Sequence, residues 1–249
     1  MIRLPRLDDH ATDRFPDPRS ALLQPNGLLA FGGDLSPSRL LTAYAHGIFP
    51  WFNEGEPILW WSPDPRCVFH TDHLRPNRSL RRALKGTLWH ISVDRAFGRV
   101  MEACAAPRTG QSGTWISPAM IDAYSALHEA GYAHSVEVWD EDRLVGGVYG
   151  VSLGHLFCGE SMFSACSGGS KLALYALAAL LREWEFPLID AQVSNDHLLG
   201  LGALEMPRAA FLKNVAHLTT APFDQDRWRQ LPAVPAQWIV DGKSFTTTG

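Results

Sequence analysis

The chain of 249 residues carries a formal net charge of −4, with 46% hydrophobic and 19% charged residues. These values are typical of a globular protein whose core folds without disulfides or a metal. No apolar run approaches the roughly 18 residues that a membrane span requires. Residues 1–19 alternate Arg with Asp and contain no apolar signal-peptide segment. We therefore expect a cytoplasmic protein that does not bind membranes.

Glycine, proline and aromatic residues crowd residues 25–66. Within this segment, residues 36–46 are predicted to form a helix, because Ser36 suits the N-cap and Pro37 suits the first helical position. Residues 57–61 are predicted to form a strand. The Pro-Asp-Pro turn that follows is predicted to separate two domains.

This boundary divides the chain into an N-terminal domain, residues 1–64, and a C-terminal domain, residues 65–249. The fold class is predicted to be α+β, with a small α/β first domain and a mixed, largely antiparallel sheet in the second. Residues 232–249 have no strong pattern and are predicted to be a loosely attached tail. The strands predicted in the second domain are residues 88–93, 134–139, 143–151, 155–161 and 187–192. Its predicted helices are residues 117–130, 170–184 and 207–218.

Positive charge is concentrated in one part of the chain. Residues 66–99 contain eight Lys or Arg and two acidic residues, a net charge of +6, whereas the rest of the chain carries −10. Residues 76–86 are predicted to form a short capped helix. Two interpretations of this helix stay open: a surface that contacts nucleic-acid phosphates, and an ordinary solvated face. Its cations are Arg78, Arg81, Arg82 and Lys85.

Signals for metals and cofactors are missing. The four cysteines form no CxxC pair, which disfavours disulfides and a zinc site. His70 and His73 have HxxH spacing, but no nearby cysteine or carboxylate completes a ligand set. The sequence contains no GxSxG, GxGxxG or GxxxxGKS/T motif. We therefore expect neither a metal nor a cofactor.

Three polar residues lie on or just after two apolar strands. Strand alternation is predicted to place Asp190 and Gln192 on one face, where a buried carboxylate needs hydrogen bonds. Asp190 can then polarise the amide of Gln192, whose oxygen accepts a proton or a hydrogen bond from an amine; the alternative is a structural polar pair. Glu160 either binds an ammonium group or caps the following turn.

Aromatic residues and one helix start supply further candidates. Nine tryptophans are many for this length, and most are expected in the core. Trp51 and Trp115 lie in loops and are better candidates for stacking on a nucleobase. Ser170 and Lys171 open a predicted helix, whose N-terminus favours an anionic group.

Several long motifs of the sequence resemble those of the leucyl/phenylalanyl-tRNA–protein transferase family. These motifs follow one another in order over roughly residues 20–220, and shared motifs of this length are very specific for a family. They include GGDLS at 32–36, GIFPWF at 47–52, LWWSPDPR at 59–66, FCGESMFS at 157–164, LIDAQ at 188–192 and NDH at 195–197.

The resemblance implies a C-terminal domain similar to acyl-CoA N-acetyltransferases. It implies a monomeric enzyme without a cofactor that takes leucine or phenylalanine from leucyl-tRNA or phenylalanyl-tRNA. Because an apolar pocket discriminates weakly between side chains, methionine is expected to be accepted as well. The acceptors are proteins that begin with Lys or Arg, and the transfer marks them for degradation.

The resemblance also implies roles for individual residues. Trp51 and Trp115 would contact the terminal adenosine, with Tyr44 and Tyr124 nearby. Asp190 and Gln192 would form the catalytic pair, and Glu160 and Asn195 would hold the aminoacyl amino group or its neighbours. The residues implied to line an apolar pocket for the aminoacyl side chain are Val148, Phe157, Met162, Leu177 and Ile189. Val148 and Leu177 stand where the family often has Met and Phe.

Two other functions compete with this family. A CoA-dependent N-acetyltransferase needs a phosphate-binding loop of the pattern Arg/Gln-x-x-Gly-x-Gly/Ala. That pattern fails here, because its first position would be Ala165 or Cys166 and its last Ser170 or Lys171. A non-catalytic RNA-binding module explains the basic segment and the tryptophans, but it leaves the polar strand residues without a role.

Overall fold

Two β-sheets with helices packed against them organise the chain. The computed structural model describes residues 4–8, 14–107, 114–243 and 245. Parts of the predicted N-terminal segment (1–3 and 9–13) and of the predicted tail (244 and 246–249) lie outside these residues. Short 3-10 helices cover Pro18–Ser20 and Gln225–Gln230.

The strands in the described residues are Arg6–Leu7 (β1), Leu28–Gly32 (β2), Phe49–Pro50 (β3), Leu59–Trp61 (β4), Arg66–His70 (β5), His90–Val93 (β6), Ala133–Asp140 (β7), Arg143–Leu153 (β8), Leu156–Ser164 (β9), Leu188–Gln192 (β10), Leu204–Met206 (β11) and Val234–Pro235 (β12). The α-helices are Pro37–Ala45 (α1), Arg78–Ala83 (α2), Phe97–Ala105 (α3), Pro118–Glu129 (α4), Gly169–Glu183 (α5), Asp196–Gly200 (α6), Arg208–Leu218 (α7) and Ala236–Val240 (α8). None of these helices combines the length and the apolar character that crossing a membrane requires.

The strand order confirms the predicted α+β class. A four-stranded sheet has the order β1-β2-β4-β3, and an eight-stranded sheet has the order β11-β5-β10-β9-β8-β7-β6-β12. The larger sheet is mixed, since β10 runs parallel to β9 while its other neighbouring pairs are antiparallel. The smaller sheet ends at Trp61 and the larger begins at Arg66. The predicted domain boundary after residue 64 falls in that interval and stays a prediction.

Side-chain caps explain where three helices begin. The Ser36 hydroxyl accepts a hydrogen bond from the Arg39 amide at the start of α1. Ser117 caps α4 in the same way. Asn77 caps α2 by accepting from the Leu80 amide at 2.9 Å. Because each cap satisfies an otherwise unpaired amide of the first turn, the predicted starts near these residues are confirmed.

Two apolar cores lie on opposite faces of the large sheet. One core contains helix α5, whose Leu177 and Leu180 are fully buried. The other core joins both sheets, since Leu29 and Trp60 of the small sheet belong to the same cluster as Tyr149 of β8. The two sheets therefore share a core.

The parallel strands β9 and β10 separate towards their C-terminal ends. They pair only from Leu188 to Asp190 of β10, opposite Leu156 to Cys158 of β9. Strand β9 then continues to Ser164, three residues beyond its predicted end. A wedge consequently opens between the two strands, on the side where the predicted polar residues lie.

The predicted loose tail is wrong for the residues that the structure describes. Strand β12 pairs with β6 at the edge of the large sheet. Helix α8 then buries Ala236, Ile239 and Val240, and Phe245 is only 2% exposed. A two-residue strand and a five-residue helix are too short to produce a recognisable sequence period, so their order depends on tertiary packing.

Docking of this segment predicts a stability effect. Ile239→Ala should lower the free energy of unfolding by about 2–5 kcal/mol, because it removes buried methyl groups and leaves a cavity. Gln237→Ala, an exposed position of the same helix, should change it by less than about 0.5 kcal/mol. Chemical denaturation measures both values. Equal, small effects would mean that the segment is detached in solution.

Candidate active site

The buried carboxylate of Glu160 on β9 is bound by side chains from three other elements. Its Oε1 accepts hydrogen bonds from the Tyr44 hydroxyl at 2.7 Å and from the Gln192 amide nitrogen at 2.8 Å. Its Oε2 accepts one from the Tyr124 hydroxyl at 3.0 Å. The two tyrosine hydroxyls also contact each other. Helices α1 and α4 and strands β9 and β10 therefore meet at this group.

Burial dominates the electrostatics of this carboxylate. It raises the pKa of Glu160 from an ordinary 4.5 to about 7, although the hydrogen bonds from Tyr44 and Tyr124 act in the opposite direction. Burial, followed by the nearby charge of Glu160, raises the tyrosines' own pKa values well above the usual range. The tyrosines therefore stay protonated donors, and Glu160 divides between its two protonation states near neutral pH.

Strands β9 and β10 each carry a β-bulge, β9 at its middle and β10 near its end. In the β8–β9 ladder, Tyr149 pairs with Ser161 and the next residue pairs with Gly159, so Glu160 is the extra residue. In the β10–β5 ladder, the register also shifts between Asp190 and Gln192. A bulge redirects the side chains beside it, and here it turns Glu160 and Gln192 towards each other.

The second bulge corrects two predictions about Asp190 and Gln192. These residues pair with the adjacent residues Val68 and Cys67 of β5, so the predicted shared strand face is wrong. The predicted polarisation of the Gln192 amide by Asp190 is also wrong. Asp190 Oδ1 instead accepts from the backbone N–H of Gln192 at 2.9 Å. The side-chain amide of Gln192 donates to Glu160.

Asp190 has a partner that sequence reasoning missed. Arg66 donates from Nε to Oδ1 and from Nη2 to Oδ2, both at 2.7 Å. Arg66 entered the prediction as one cation of the basic segment and as the last residue of the LWWSPDPR motif, without a role of its own. A signal was available, because an aspartate within an apolar strand needs a buried cation or several donors.

A cleft of about 920 Å³ opens beside Glu160. The structure brings five of the predicted site residues to its lining: Trp51, Trp115, Glu160, Gln192 and Asn195. Tyr44 and Tyr124 lie behind the lining, fully buried. The cleft is therefore a concave surface with indole rings and with the Glu160–Gln192 pair, as expected of a site that binds a base next to a reacting group.

The charge of this cleft is negative. Among its described lining residues, the carboxylates are Glu54 and Glu160, and none is Lys or Arg. Trp51 is 43% exposed and lies 5.6 Å from Trp61 between ring centroids. The Trp61 indole N–H holds the loop by donating to the backbone carbonyl of Trp51 at 2.7 Å. A cationic group is thus favoured beside an indole that is accessible for stacking.

A second cavity of about 940 Å³ adjoins the cleft, since Ala106 lines both. The predicted site residues Met162 and Ser170 lie on its lining. Ser164 fixes the start of α5, because its hydroxyl donates to Ser170 Oγ and accepts from the Ser170 amide, both at 2.8 Å. The charged or titratable side chains of its described lining are Arg99, Glu102 and His197.

The other predicted pocket residues lie in the core. Val148, Phe157, Leu177 and Ile189 are each at most 5% exposed and belong to the cluster around α5. None of the four lies on the lining of the two cavities described above. The aminoacyl pocket that they were predicted to form stays a prediction.

The basic helix α2 presents its cations to solvent, while Leu80 and Leu84 are buried. Leu80 packs beside Gly168, the residue that precedes α5. Helix α2 therefore lies close to the second cavity, which Ser170 lines. The exposed cations on this helix and just after it are Arg78, Arg81, Arg82 and Lys85.

One cluster in the described residues brings potential metal ligands together. Ligand atoms of Asp94, His128 and His134 lie within 4.8 Å of one another. Hydrogen bonds already occupy these rings: His134 bonds to Asp94 at 2.7 Å and to the Gly131 carbonyl at 3.1 Å, and His128 bonds to the Ala133 carbonyl at 2.7 Å. The cluster lines neither cavity, so it has no part in the candidate active site.

One solved structure is similar over much of the chain. It is that of L-PGS from Bacillus licheniformis, with 12% sequence identity and a TM-score of 0.38. The match covers 81% of this chain and 65% of that one, so the chain spans less than two thirds of its length. A likeness of this size carries no argument about fold or function.

Sequence comparisons are more informative. Residues 68–216 match the profile described as leucyl/phenylalanyl-tRNA protein transferase, and residues 33–64 match that of its N-terminal domain. A leucyl/phenylalanyl-tRNA–protein transferase from Xanthomonas axonopodis pv. citri (strain 306) is 57% identical over 233 residues, covering 93% of this chain and 90% of that protein. A second, from Cellvibrio japonicus (strain Ueda107), is 54% identical over 218 residues and covers 87% of this chain and 93% of that one. The chain therefore belongs to the leucyl/phenylalanyl-tRNA–protein transferase family, whose members move an aminoacyl group from tRNA to a protein.

Proposed function

We propose that the chain transfers leucine, phenylalanine or methionine from aminoacyl-tRNA to acceptor proteins that begin with Lys or Arg, which marks them for degradation. It acts as a monomer in the cytoplasm, where charged tRNA is found. The observation that carries this proposal is the Glu160–Gln192 pair on the lining of a cleft that also contains Trp51 and Trp115.

The charge of the cleft supports a cationic acceptor. Its described lining carries Glu54 and Glu160 without a Lys or Arg. A positive N-terminal residue is attracted to such a surface, and an acidic one is repelled. The same field favours the ammonium group of the aminoacyl moiety, which Glu160 and Asn195 are proposed to hold.

The reaction needs positioning more than a strong nucleophile, because the aminoacyl ester is already activated. The acceptor amine attacks the ester carbonyl, a C–N bond forms, and the bond from the carbonyl carbon to the ribose oxygen breaks. One amine proton goes to the departing ribose oxygen. Since Glu160 holds the amide nitrogen of Gln192, the amide oxygen of Gln192 is available to accept a hydrogen bond from the amine and orient it.

The two aromatic residues of the cleft supply a binding site for the terminal adenosine. Trp51 and Trp115 offer faces for stacking, which contributes about 1–3 kcal/mol per base in single-stranded nucleic-acid sites. This site does not depend on the rest of the tRNA sequence, because every base has a π face. The CoA-dependent and non-catalytic alternatives give no role to a cleft that combines these indoles with Gln192.

A transfer assay tests the function. With labelled phenylalanyl-tRNA, the chain should modify a peptide that begins with Arg and leave a matched peptide that begins with Glu unmodified. Gln192→Ala should lower the rate roughly 100-fold or more, the scale of losing a group that positions a proton transfer, with little change in tRNA affinity. Gln230→Ala, an exposed glutamine outside both cavities, is the matched control. A folded Gln192→Ala protein with normal turnover would show that the residue is structural.

The raised pKa of Glu160 predicts a pH dependence. The ionised carboxylate binds an ammonium group, so the ratio of kcat/KM between the wild type and Glu160→Gln should rise as pH increases through about 7. Taking the ratio removes the titration of the acceptor amine, which is the same for both proteins. A ratio that stays constant over this range would exclude a role for the ionised form.

The effect of rising pH on stability has the opposite sign to its effect on activity. The folded-state pKa of Glu160 lies above the ordinary 4.5, so the folded protein binds this proton more tightly than the unfolded chain does. The contribution of Glu160 to the free energy of unfolding therefore falls as pH rises from about 4.5 to about 7.

The exposed cations of α2 predict a salt-dependent contact with tRNA. Reversing Arg78, Arg81 and Arg82 to Glu should weaken tRNA binding and flatten the plot of log affinity against log salt, because fewer counterions are released. Filter binding over a range of salt concentrations measures the slope. An unchanged slope would mean that this helix faces only solvent.

A further inference from the structure

Arg66 is fully buried and contacts three separate parts of the fold. It holds both carboxylate oxygens of Asp190. Its Nη1 donates to the backbone carbonyl of Gly47 at 3.1 Å. Its guanidinium carbon lies over the rings of Phe49 and Phe211, 4.8 and 4.6 Å from their centroids. Every one of its three nitrogens therefore has an acceptor, and two aromatic rings lie close to it.

Stability alone is a weak reason for such a pair. Removing two charges from water costs several kcal/mol per ion, and well-packed apolar residues often replace a buried ion pair without loss. The geometry of the pair is more informative than its energy. A bidentate guanidinium fixes the plane and position of a carboxylate, which a single ammonium cannot do.

The carboxylate held in this way in turn holds the backbone of Gln192. Asp190 Oδ1 accepts from the Gln192 N–H at 2.9 Å, an Asx turn that spans the bulge of β10. Gln192 has a φ of 64°, a left-handed conformation that is costly for a residue other than glycine. The hydrogen bond to Asp190 stabilises that conformation, from which the side chain of Gln192 reaches Glu160.

We propose that Arg66 is a positioning residue for the transfer reaction, acting through Asp190 on the conformation of Gln192. Asp190 is then also a positioning residue, because Arg66 and the Gln192 amide already occupy both of its oxygens. Arg66 further links this strand end to Gly47 and Phe49, which lead into the loop of Trp51. These contacts hold the guanidinium in the position from which it binds Asp190.

This inference rests on the proposed role of Gln192, and one substitution tests it directly. Arg66→Lys keeps the charge but cannot hold both oxygens of Asp190. We expect kcat to fall roughly 10- to 100-fold, the scale of a small misplacement of a reacting group, with little change in tRNA affinity. The backbone amide resonance of Gln192 should shift in the ¹⁵N–¹H spectrum. Arg39→Lys is the matched control, since Arg39 is also fully buried and pairs with Asp34 at 3.2 Å, away from the cleft.

A double-substitution cycle separates positioning from general destabilisation. If Arg66 acts only through Asp190, Arg66→Lys combined with Asp190→Asn should lower kcat no further than the more severe single change. Two independent structural effects would instead multiply. A multiplicative loss, or a normal kcat in folded Arg66→Lys, overturns the inference.

Two further measurements keep the inference testable. If Arg66→Lys does not fold, Asp190→Asn, which has the same shape, should still lower kcat and shift the Gln192 amide resonance, and normal values of both would overturn it. In the wild type, the backbone amide of Gln192 should exchange with solvent as slowly as the other amides of β10 do. Rapid exchange of this amide would also overturn the inference. The Gln192→Ala variant distinguishes the two proposals. Normal turnover in this variant removes the proposed role of Gln192. Slow turnover in Gln192→Ala together with normal turnover in Arg66→Lys removes only the positioning role of Arg66.

Discussion

The hydrogen bonds to the Glu160 carboxylate are the interaction on which the site depends. A carboxylate with so little access to water is costly unless donors surround it, and the donors come from parts of the chain that are far apart in sequence. Tyr44 belongs to helix α1, which lies between strands β2 and β3 of the small sheet, whereas Tyr124 and Gln192 belong to the larger part. Satisfying one buried group therefore requires both parts of the fold to be in place.

Irregular strands make this arrangement possible. The side chains of a regular strand point alternately to the two faces of the sheet. Two regular neighbouring strands therefore do not point side chains at each other. The bulges of β9 and β10 break the alternation where the strands separate, and the two polar side chains meet across the wedge. The Asx turn at Asp190 stabilises the second bulge, because the carboxylate of Asp190 accepts a hydrogen bond from the backbone amide of Gln192.

Sequence reasoning predicted the regular elements well and the irregular ones poorly. Caps such as Ser36 and apolar alternation are local signals, so helix starts and the strands β7 and β8 were predicted near their observed positions. Family resemblance supplied most of the residues that meet in the cleft. The pairing of Arg66 with Asp190 spans 124 residues, and a bulge is a single extra residue without a local pattern. The C-terminal segment is likewise ordered by its burial against the rest of the fold, and local sequence propensities do not predict such burial.

The core shared by the two sheets has a consequence for how the protein loses its structure. Leu29 and Trp60 of the small sheet pack in the same cluster as Tyr149 and Phe211 of the larger part, so neither part keeps its apolar surface covered when the other opens. We therefore expect the two sheets to melt together in one cooperative transition instead of two.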